Sequence, residues 1–358
     1  MARSPGSKGS FVEQLRVGLI GAGGIAGVHI AGWQQLGADV SVYSRSGAAH
    51  LVAEFGVAEA ESLDALLAAV DLVSILTPTT THHEYAMAAI AAGKDVMCEK
   101  PLAETTARAA EIANAAKSAG VRLFPAHVVR FFPEYVAAKT LLDQGKLGAP
   151  QVLRLSRASA APAAGSWFFQ EQGAGGIIRD QMIHDLDQAL WLAGDVVQVE
   201  ALQTPSTVDG VVPRPVTAKV FLTHESGAVS FLQGEWGPDS MPFYTSIAVE
   251  GDAGTWRFPL PLATDHAADV DGGDTDGGAS DGGAAAQVGG QLPEQSPASS
   301  PYTLQIAEFA QARSTGAPSR VSPYDGVMAV ALAEAAYASI ASGGPVEFSA
   351  TSVAMLLD

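Results

Sequence analysis

Short apolar runs alternate with helical stretches over the first third of the chain, and the helical stretches tend to end at a glycine. Strands are predicted at Leu15–Ile20, Asp39–Tyr43, Leu72–Leu76, Asp95–Cys98 and Val121–Pro125, and helices at Gly24–Leu36, His82–Ala92 and Thr106–Ala119. Strand–helix alternation of this kind is typical of a doubly wound parallel sheet. We therefore predict an α/β domain over residues 13–127.

The pattern changes after about His127. A helix is still predicted at Pro133–Gln144, but the segments that follow are extended, lie close together and are separated by turn residues. The predicted strands are Gln151–Arg157, Val197–Leu202, Val216–Thr223, Ala228–Glu235, Tyr244–Glu250, Thr255–Phe258 and Val346–Phe348, and the predicted helices are Ile178–Leu192, Pro301–Ser314 and Tyr324–Ser342. Residues 128–358 are therefore predicted to form an α+β domain with a mainly antiparallel sheet.

Composition adds two flexible segments and excludes several partners. The Ser/Gly/Lys-rich residues 1–12 predict a loose tail, and the Asp/Gly-rich residues 264–300 predict a disordered insertion; its aspartates lack the spacing of a calcium loop. The formal net charge of −18 argues against nucleic acid and against an anionic membrane surface. No stretch reaches the roughly 18 apolar residues of a membrane span, and no secretory signal is recognisable. We expect a cytoplasmic protein with no metal site and no disulfide, since Cys98 is the single cysteine.

The string GAGGIA, at residues 21–26, follows the first predicted strand and opens the first helix. Gly21 permits a tight turn, Gly23 lets the backbone approach a pyrophosphate, and Ala26 keeps the helix close to the strand. Together with Gly24 and Ile25, these residues form the predicted phosphate-binding loop of a dinucleotide site. A glycine-rich turn without a ligand is the alternative.

The end of the second strand carries Ser44 and Arg45 where an acidic residue would hold the ribose 2′-hydroxyl of NAD. An arginine with neighbouring hydroxyls suits a 2′-phosphate. We therefore predict NADP as the preferred cofactor. Stacking of Arg45 on adenine would leave NAD as the alternative.

Candidate proton-transfer chemistry comes from three residues. Lys100 follows an apolar strand and precedes Pro101, which restricts its backbone. Asp180 and His184 are four residues apart and would share one helix face. A neutral imidazole can accept the hydroxyl proton of an alcohol, and an ammonium stabilises the developing alkoxide.

Either feature alone has an ordinary structural explanation: a solvated helix face for Asp180 and His184, and a surface turn for Lys100. Asp187 is expected to orient the His184 ring, while Asp185 is expected to face elsewhere.

Five segments resemble the Gfo/Idh/MocA oxidoreductases, which include glucose–fructose oxidoreductase and inositol dehydrogenases. The segments are VGLIGAGGIAGVH (17–29), LVSILTPTTTHHEYAMAAIAAGKDVMCEKPLA (72–103), FFPEY (131–135), GAGGIIRDQMIHDLDQALWLAGD (173–195) and SPYDGVMAVALAEAAYASIASGGPVEF (322–348). They span nearly the whole chain. The Glu-Lys-Pro string, followed by a glycine-rich segment with Asp and His four residues apart, is quite specific. Arg179 and Gln181 depart from the family, in which apolar or small residues are commoner beside the aspartate.

The resemblance implies a Rossmann domain followed by an α+β domain whose open sheet often serves as an oligomer interface, and hence a homo-dimer or homo-tetramer. It implies that Lys100 and His184 are catalytic, that Asp180 touches substrate and that Lys100 also borders the cofactor. The further cofactor-binding residues that it implies are Thr77, Pro78, His82 and Glu99.

Substrate residues are predicted less directly. Arg157 and Arg179, with Arg130 and Arg154, are candidates for a carboxylate clamp, or else are structural or exposed. Trp167, with Phe168 and Phe169, is predicted either to line a sugar site or to belong to the core. His82 and His83 are adjacent and point in different directions, so they predict no metal pair. Cys98 is expected to be a buried strand residue.

These observations predict an NAD(P)-dependent oxidoreductase acting on a secondary alcohol or ketone of a sugar, a cyclitol or a derivative. Two alternatives remain open. A glycoside hydrolase on this fold would oxidise and re-reduce its sugar with a bound nicotinamide, and a cofactor-binding regulator would need no proton-transfer residues.

Overall fold

A computed structural model describes residues 14–171, 175–259 and 300–357. These residues divide into two units. The first comprises residues 14–99, 111–126 and 300–323, and the second comprises 100–110, 127–171, 175–259 and 324–357. The predicted flexible segments 1–12 and 264–300 lie outside the described residues, apart from Ser300.

The first unit contains a six-stranded parallel sheet with strand order β3-β2-β1-β4-β5-β6. Its strands are β1 (Arg16–Ile20), β2 (Asp39–Tyr43), β3 (Ala58–Glu59), β4 (Leu72–Ile75), β5 (Asp95–Glu99) and β6 (Leu123–Ala126). Strand order reverses between β1 and β4, which is the position at which doubly wound sheets bind nucleotides. The predicted Rossmann architecture is confirmed.

Helices alternate with these strands because their apolar faces must be buried on the sheet. They are α1 (Ala26–Gln35), α2 (Ala49–Phe55), α3 (Leu63–Ala69), α4 (His82–Ala91) and α5 (Thr106–Ala119, divided between the units after Ala110). The elements α2, β3 and α3 are additional to those predicted from the sequence.

A helix from far along the chain also belongs to the first unit. This helix, α9 (Pro301–Thr315), packs against α1, where a Cβ on Gly32 would lie 2.6 Å from Ile306 Cδ1. Sequence order places this helix in the second domain, but its apolar face is buried against α1 and β6, where Phe309 stacks on Phe124 at 5.0 Å.

The second unit contains a seven-stranded mixed sheet with strand order β12-β11-β7-β10-β9-β8-β13. Its strands are β7 (Pro150–Ala160), β8 (Val196–Thr204), β9 (Val216–His224), β10 (Val229–Gly237), β11 (Tyr244–Gly251), β12 (Thr255–Phe258) and β13 (Val346–Glu347). Only the β7–β10 pair is parallel among the described strands of this sheet. The predicted α+β fold with a mainly antiparallel sheet is confirmed.

The helices of this unit are α6 (Pro133–Asp143), α7 (Ile177–Asp180), α8 (Ile183–Ala193), α10 (Pro323–Ser342, from Tyr324 onward) and α11 (Ala350–Ala354). The prediction of a single helix over Ile178–Leu192 is wrong in one respect. This segment forms two helices, α7 and α8, which are separated by Gln181 and Met182. Asp180 therefore ends one helix, and His184 lies in the first turn of the next.

Searched through residues 14–171, 175–259 and 300–357, the structure contains no helix with the length and hydropathy needed to span a bilayer.

Candidate active site

The glycine-rich loop of the first unit needs a glycine at residue 21. Gly21 has a φ of +113°, and a Cβ there would lie 2.9 Å from the carbonyl carbon and oxygen of Leu76. The N–H of Gly21 donates to the carbonyl of Tyr43 at 2.9 Å. Both the backbone conformation and the close approach of Leu76, the residue after β4, therefore exclude a side chain here.

The next glycines of the loop leave room for a ligand. Gly23 and Gly24 are exposed, and a Cβ at either position would meet no atom of the described chain within 4 Å. Ala26 is fully buried, and its N–H donates to the carbonyl of Gly23 at 3.0 Å. The loop thus leads into the N-terminus of α1, whose unpaired N–H groups favour an anion. These features fit the pyrophosphate of a dinucleotide.

The end of β2 is a short polar turn. The N–H of Gly47 donates to the carbonyl of Ser44 at 3.1 Å, and the hydroxyls of Ser44 and Ser46 are 3.1 Å apart. Arg45 is exposed, and its guanidinium carbon lies 5.9 Å from the ring centre of Tyr85. The turn thus presents a guanidinium and two hydroxyls, the groups expected for a 2′-phosphate.

The turn after β4 contains two predicted cofactor residues held together. His82 is buried, and its Nε2 lies 2.8 Å from the carbonyl oxygen of Thr77. The hydroxyl oxygen of Thr77 is buried and has no hydrogen-bond partner among the described residues. Pro78 is exposed between them. A buried polar atom of this kind costs free energy unless a ligand or water satisfies it.

Glu99 is the last residue of β5, and its Oε1 lies 3.1 Å from Nε2 of His29. His29 is fully buried in α1, and its ring packs edge-on against Tyr302 of α9 with 6.2 Å between ring centres. Sequence reasoning did not single out His29. A usable signal was present, because His29 is three residues after Ala26 and therefore lies on the helix face that packs on the sheet.

In the second unit, Lys100 and Asp180 form a direct pair. Lys100 Nζ donates to Asp180 Oδ1 at 3.0 Å and to the Asp180 backbone carbonyl at 2.8 Å. Their side chains are only 18% and 17% exposed, so solvent screens this pair less than it screens a surface pair. Residues 80 positions apart, predicted as candidates for one site, are brought together here.

His184 lies in the same electrostatic environment. Burial lowers the pKa of its imidazole well below the ordinary value of 6.5, and the positive charges of Lys100 and Arg157, with His127, lower it further. Its Nδ1 is buried without a hydrogen-bond partner in the described part of the chain. The ring is therefore neutral at neutral pH, which is the state a proton acceptor needs.

The expectation that Asp187 orients the His184 ring is wrong. The Asp187 carboxylate is bound by Arg130, whose Nε and Nη2 donate at 2.9 and 2.7 Å, and it lies 3.7 Å from His127 Nδ1. Asp185 does face elsewhere, into a buried pair with Arg157 at 3.0 Å. Burial raises the pKa of Asp185, and the adjacent Arg157 guanidinium opposes that rise.

Two of the four candidate arginines are buried with protein partners, which excludes these two from a carboxylate clamp. Arg157 is 5% exposed and binds Asp185 and the hydroxyl of Tyr135, while Arg130 is 2% exposed and binds Asp187 and Asp325. A charged group that is buried away from water needs such partners. Burial also leaves Arg157 and Arg130 inaccessible to a substrate carboxylate.

The two remaining arginines are accessible to solvent, so their part in a carboxylate clamp stays a prediction. Arg154 is exposed and pairs with Glu250 at 2.7 Å. Arg179 donates to the carbonyl of Glu171 at 2.9 Å, and its guanidinium carbon lies 4.9 Å from the ring centre of Tyr337.

The aromatic string divides between core and surface. Phe169 is buried, and its ring centre lies 5.6 Å from that of Trp236. Trp167 and Phe168 are stacked with 4.1 Å between their ring centres, and both remain partly exposed. Phe169 therefore belongs to the core, while the role of Trp167 at a sugar site stays a prediction.

Cys98 is fully buried in β5, as predicted, and burial raises the pKa of its thiol. His83 points away from His82 and lies 2.7 Å from Glu111. No group of three or more potential metal ligands is found within the described ranges.

Comparison with known protein families matches both units. Residues 15–127 match the profile described as "Oxidoreductase family, NAD-binding Rossmann fold" (GFO_IDH_MocA), and residues 135–257 match the "GFO/IDH/MocA C-terminal domain".

Relatives of known activity are similar over most of their length. An inositol 2-dehydrogenase of Klebsiella pneumoniae subsp. pneumoniae is 33% identical over 264 residues, which are 70% of this chain and 75% of that protein. A D-apiose dehydrogenase of Paraburkholderia graminis is 29% identical over 350 residues, which are 94% of this chain and 90% of that protein. The crystal structure of GenD2 from gentamicin A biosynthesis, in complex with NAD, is 26% identical with a TM-score of 0.77, covering 97% of this chain and all of that one.

Proposed function

Because the chain belongs to the Gfo/Idh/MocA family of NAD-binding oxidoreductases, we propose that it is an NAD(P)-dependent dehydrogenase or reductase of a sugar or cyclitol. It transfers hydride between the nicotinamide and a carbon that bears a secondary hydroxyl or ketone. The observation that carries the proposal is the Lys100–Asp180 pair, whose ammonium acts electrostatically on the buried imidazole of His184.

Apart from Lys100, the residues that would hold the dinucleotide lie in the first unit. The open positions at Gly23 and Gly24 and the N-terminus of α1 suit the pyrophosphate, and the unsatisfied Thr77 hydroxyl suits a polar group of the cofactor. When bound, the nicotinamide supplies the hydride acceptor or donor, and the protein supplies placement and electrostatics.

His184 is assigned the proton transfer. In the oxidation direction its neutral imidazole accepts the substrate hydroxyl proton, and in the reduction direction the imidazolium returns a proton to the ketone oxygen. A pKa lowered by burial and by nearby positive charges favours the oxidation direction, because the ring stays unprotonated over a wider pH range.

Lys100 is assigned the stabilisation of charge on the substrate oxygen. An ammonium held in place before the reaction stabilises a developing alkoxide without having to reorganise. Asp180 holds that ammonium in place through its carboxylate and its carbonyl, and it contacts substrate hydroxyls.

A preference for NADP over NAD is a finer part of the proposal. It is supported by Arg45, Ser44 and Ser46 at the end of β2, where a 2′-phosphate would be met by charge-assisted hydrogen bonds. A homo-dimer or homo-tetramer and a cytoplasmic location also remain part of the proposal.

The test is a panel of cyclitols, aldoses and keto-sugars with NADP and NAD, monitored by the absorbance of the reduced nicotinamide. We expect turnover on at least one polyol, and we expect kcat/KM for oxidation to fall only at pH values below 6.5, the ordinary imidazole pKa.

Cofactor that is retained through purification without net absorbance change, together with glycoside cleavage, would replace this proposal by the hydrolase. Tight cofactor binding with no turnover across the panel would replace it by the regulator.

A further inference from the structure

The break between α7 and α8 has a defined hydrogen-bond pattern. The N–H of Met182 bonds back to the carbonyl of Ile177, and the N–H groups of Asp185 and Leu186 both bond to the carbonyl of Met182, all at 2.9 Å. Among the described residues, the α-helical series of backbone bonds therefore bypasses the carbonyl of Asp180.

That carbonyl accepts from Lys100 instead. Lys100 Nζ lies 2.8 Å from the Asp180 backbone oxygen, which is shorter than its 3.0 Å bond to the carboxylate. In an uninterrupted α-helix, the same oxygen would accept from the N–H four residues later, which is that of His184. The break therefore makes Asp180 a two-point receptor for the ammonium.

Gln181 ties this break to the sheet of the second unit. Its side chain is 8% exposed, and Nε2 donates to the carbonyls of Arg157 at 2.8 Å and Glu235 at 3.3 Å. Its Oε1 accepts from the hydroxyl of Ser159 at 2.9 Å. One amide thus joins the break to β7 and β10, the parallel pair of strands, and satisfies its own buried polar atoms.

We propose that Gln181 is a positioning residue for the reaction, holding the α7–α8 break so that the Asp180 carbonyl fixes Lys100 beside His184. This inference rests on the proposed function, because it assigns Gln181 a role in that same site. A side chain locked by hydrogen bonds to two strands is the kind of support that keeps reacting groups in productive geometry.

The charges around His184 make this positioning measurable. Lys100 acts on it from the segment after β5, Arg157 from β7 and His127 from the residue after β6. The acidic groups on the same helix as His184, Asp185 and Asp187, form ion pairs with Arg157 and Arg130 respectively. If the break loosens, Lys100 moves and water enters, so the pKa of His184 rises toward its ordinary value.

The test replaces the amide by an apolar side chain of similar length, Gln181→Met. The matched control is Gln203→Met in β8, because Gln203 is also 8% exposed and its amide also bonds to a backbone carbonyl and a hydroxyl. The measurements are kcat, KM and the pH profile on the best polyol, together with an NMR titration of the His184 imidazole, assigned with His184→Asn.

We expect Gln181→Met to lower kcat by about tenfold or more, to leave KM for the cofactor unchanged, and to raise the pKa of His184. Gln203→Met should lower thermal stability comparably and leave both the kcat and the imidazole titration at wild-type values. Should Gln181→Met fail to fold, Ser159→Ala removes only one of the three bonds and should produce a smaller change in the same direction.

Equal effects of the two glutamine variants on kcat and on the imidazole titration would overturn the positioning role. Wild-type protein without activity on any polyol would instead overturn the proposed function, and comparing the imidazole titrations of the two glutamine variants would still test the positioning role.

Discussion

Lys100 interacts electrostatically with both Asp180 and His184. Lys100 forms an ion pair with Asp180, while burial and the ammonium of Lys100 disfavour the imidazolium form of His184. The ammonium thus acts on a base that is neutral at neutral pH. This combination suits an alcohol that must lose a proton as its hydride leaves.

Removing the ammonium should abolish most of the turnover. We expect Lys100→Met to reduce kcat by about 10²–10³-fold, as for the loss of one electrostatic stabiliser of an oxyanion. Cofactor affinity, measured by fluorescence titration with NADPH, should change much less. Lys94→Met is the matched control, because Lys94 is also partly buried and donates to a backbone carbonyl, that of Val70, at 2.8 Å. Near-normal turnover of Lys100→Met would reject the role.

Arg45 offers a test of cofactor preference. We expect Arg45→Ala to raise the KM for NADP by about tenfold, the equivalent of about 1.4 kcal/mol of lost interaction, and to leave the KM for NAD nearly unchanged. Steady-state kinetics with both cofactors gives the comparison. A wild-type protein that already prefers NAD, or equal losses with both cofactors, would show that Arg45 stacks on adenine instead.

At the scale of elements, two glycines of the β1–α1 turn are needed for different reasons. Gly21 is required by the fold, since its φ is positive and the backbone of Leu76 approaches closely, whereas Gly23 has open space around its Cβ position. A required glycine usually reveals a backbone constraint, and an unconstrained one reveals room for a ligand.

This difference predicts opposite outcomes for two alanine variants. Gly21→Ala should destabilise the protein by about 1 kcal/mol or more, seen as a lower Tm. Gly23→Ala should keep the wild-type Tm and bind the dinucleotide about tenfold more weakly. Unchanged affinity in Gly23→Ala would remove this loop from the cofactor site.

The break between α7 and α8 shows where the sequence pattern was insufficient. Apolar periodicity runs through Ile178–Leu192 without a proline, so one helix was the reasonable prediction. The break is held by bonds from Gln181 to strands 24 and 54 residues away, and a local pattern cannot report such partners. By contrast, each strand of the parallel sheet has its own apolar run, and all but the two-residue β3 were predicted.

At the scale of the whole chain, buried histidines couple stability to pH. Burial lowers the pKa of His184 and of His224, and His224 Nδ1 and Nε2 each lie 2.8 Å from a partner, Gly194 O and Ser230 Oγ. In the unfolded chain both rings take up a proton near pH 6.5, while in the folded chain they resist it until the pH is lower.

Stability should therefore be highest above pH 6.5 and should fall as the pH drops below it, because the unfolded state then binds more protons. Tm measured between about pH 5 and 8 should decrease on the acid side. His224→Asn should be less stable at neutral pH and should show a weaker dependence in that range. An identical slope in wild type and His224→Asn would indicate that other groups cause the acid sensitivity.

The family, the Rossmann fold and the candidates Lys100, Asp180 and His184 were predictable because local strings carry them: a turn that needs glycine, a lysine after an apolar strand, and two polar residues four apart. Partnerships across long separations were not predictable. Arg157 with Asp185 and Arg130 with Asp187, 28 and 57 residues apart, became structural ion pairs where a substrate clamp was expected. Burial is the physical reason, because a charge removed from water must be paired, and which charges are removed depends on how the strands and helices pack.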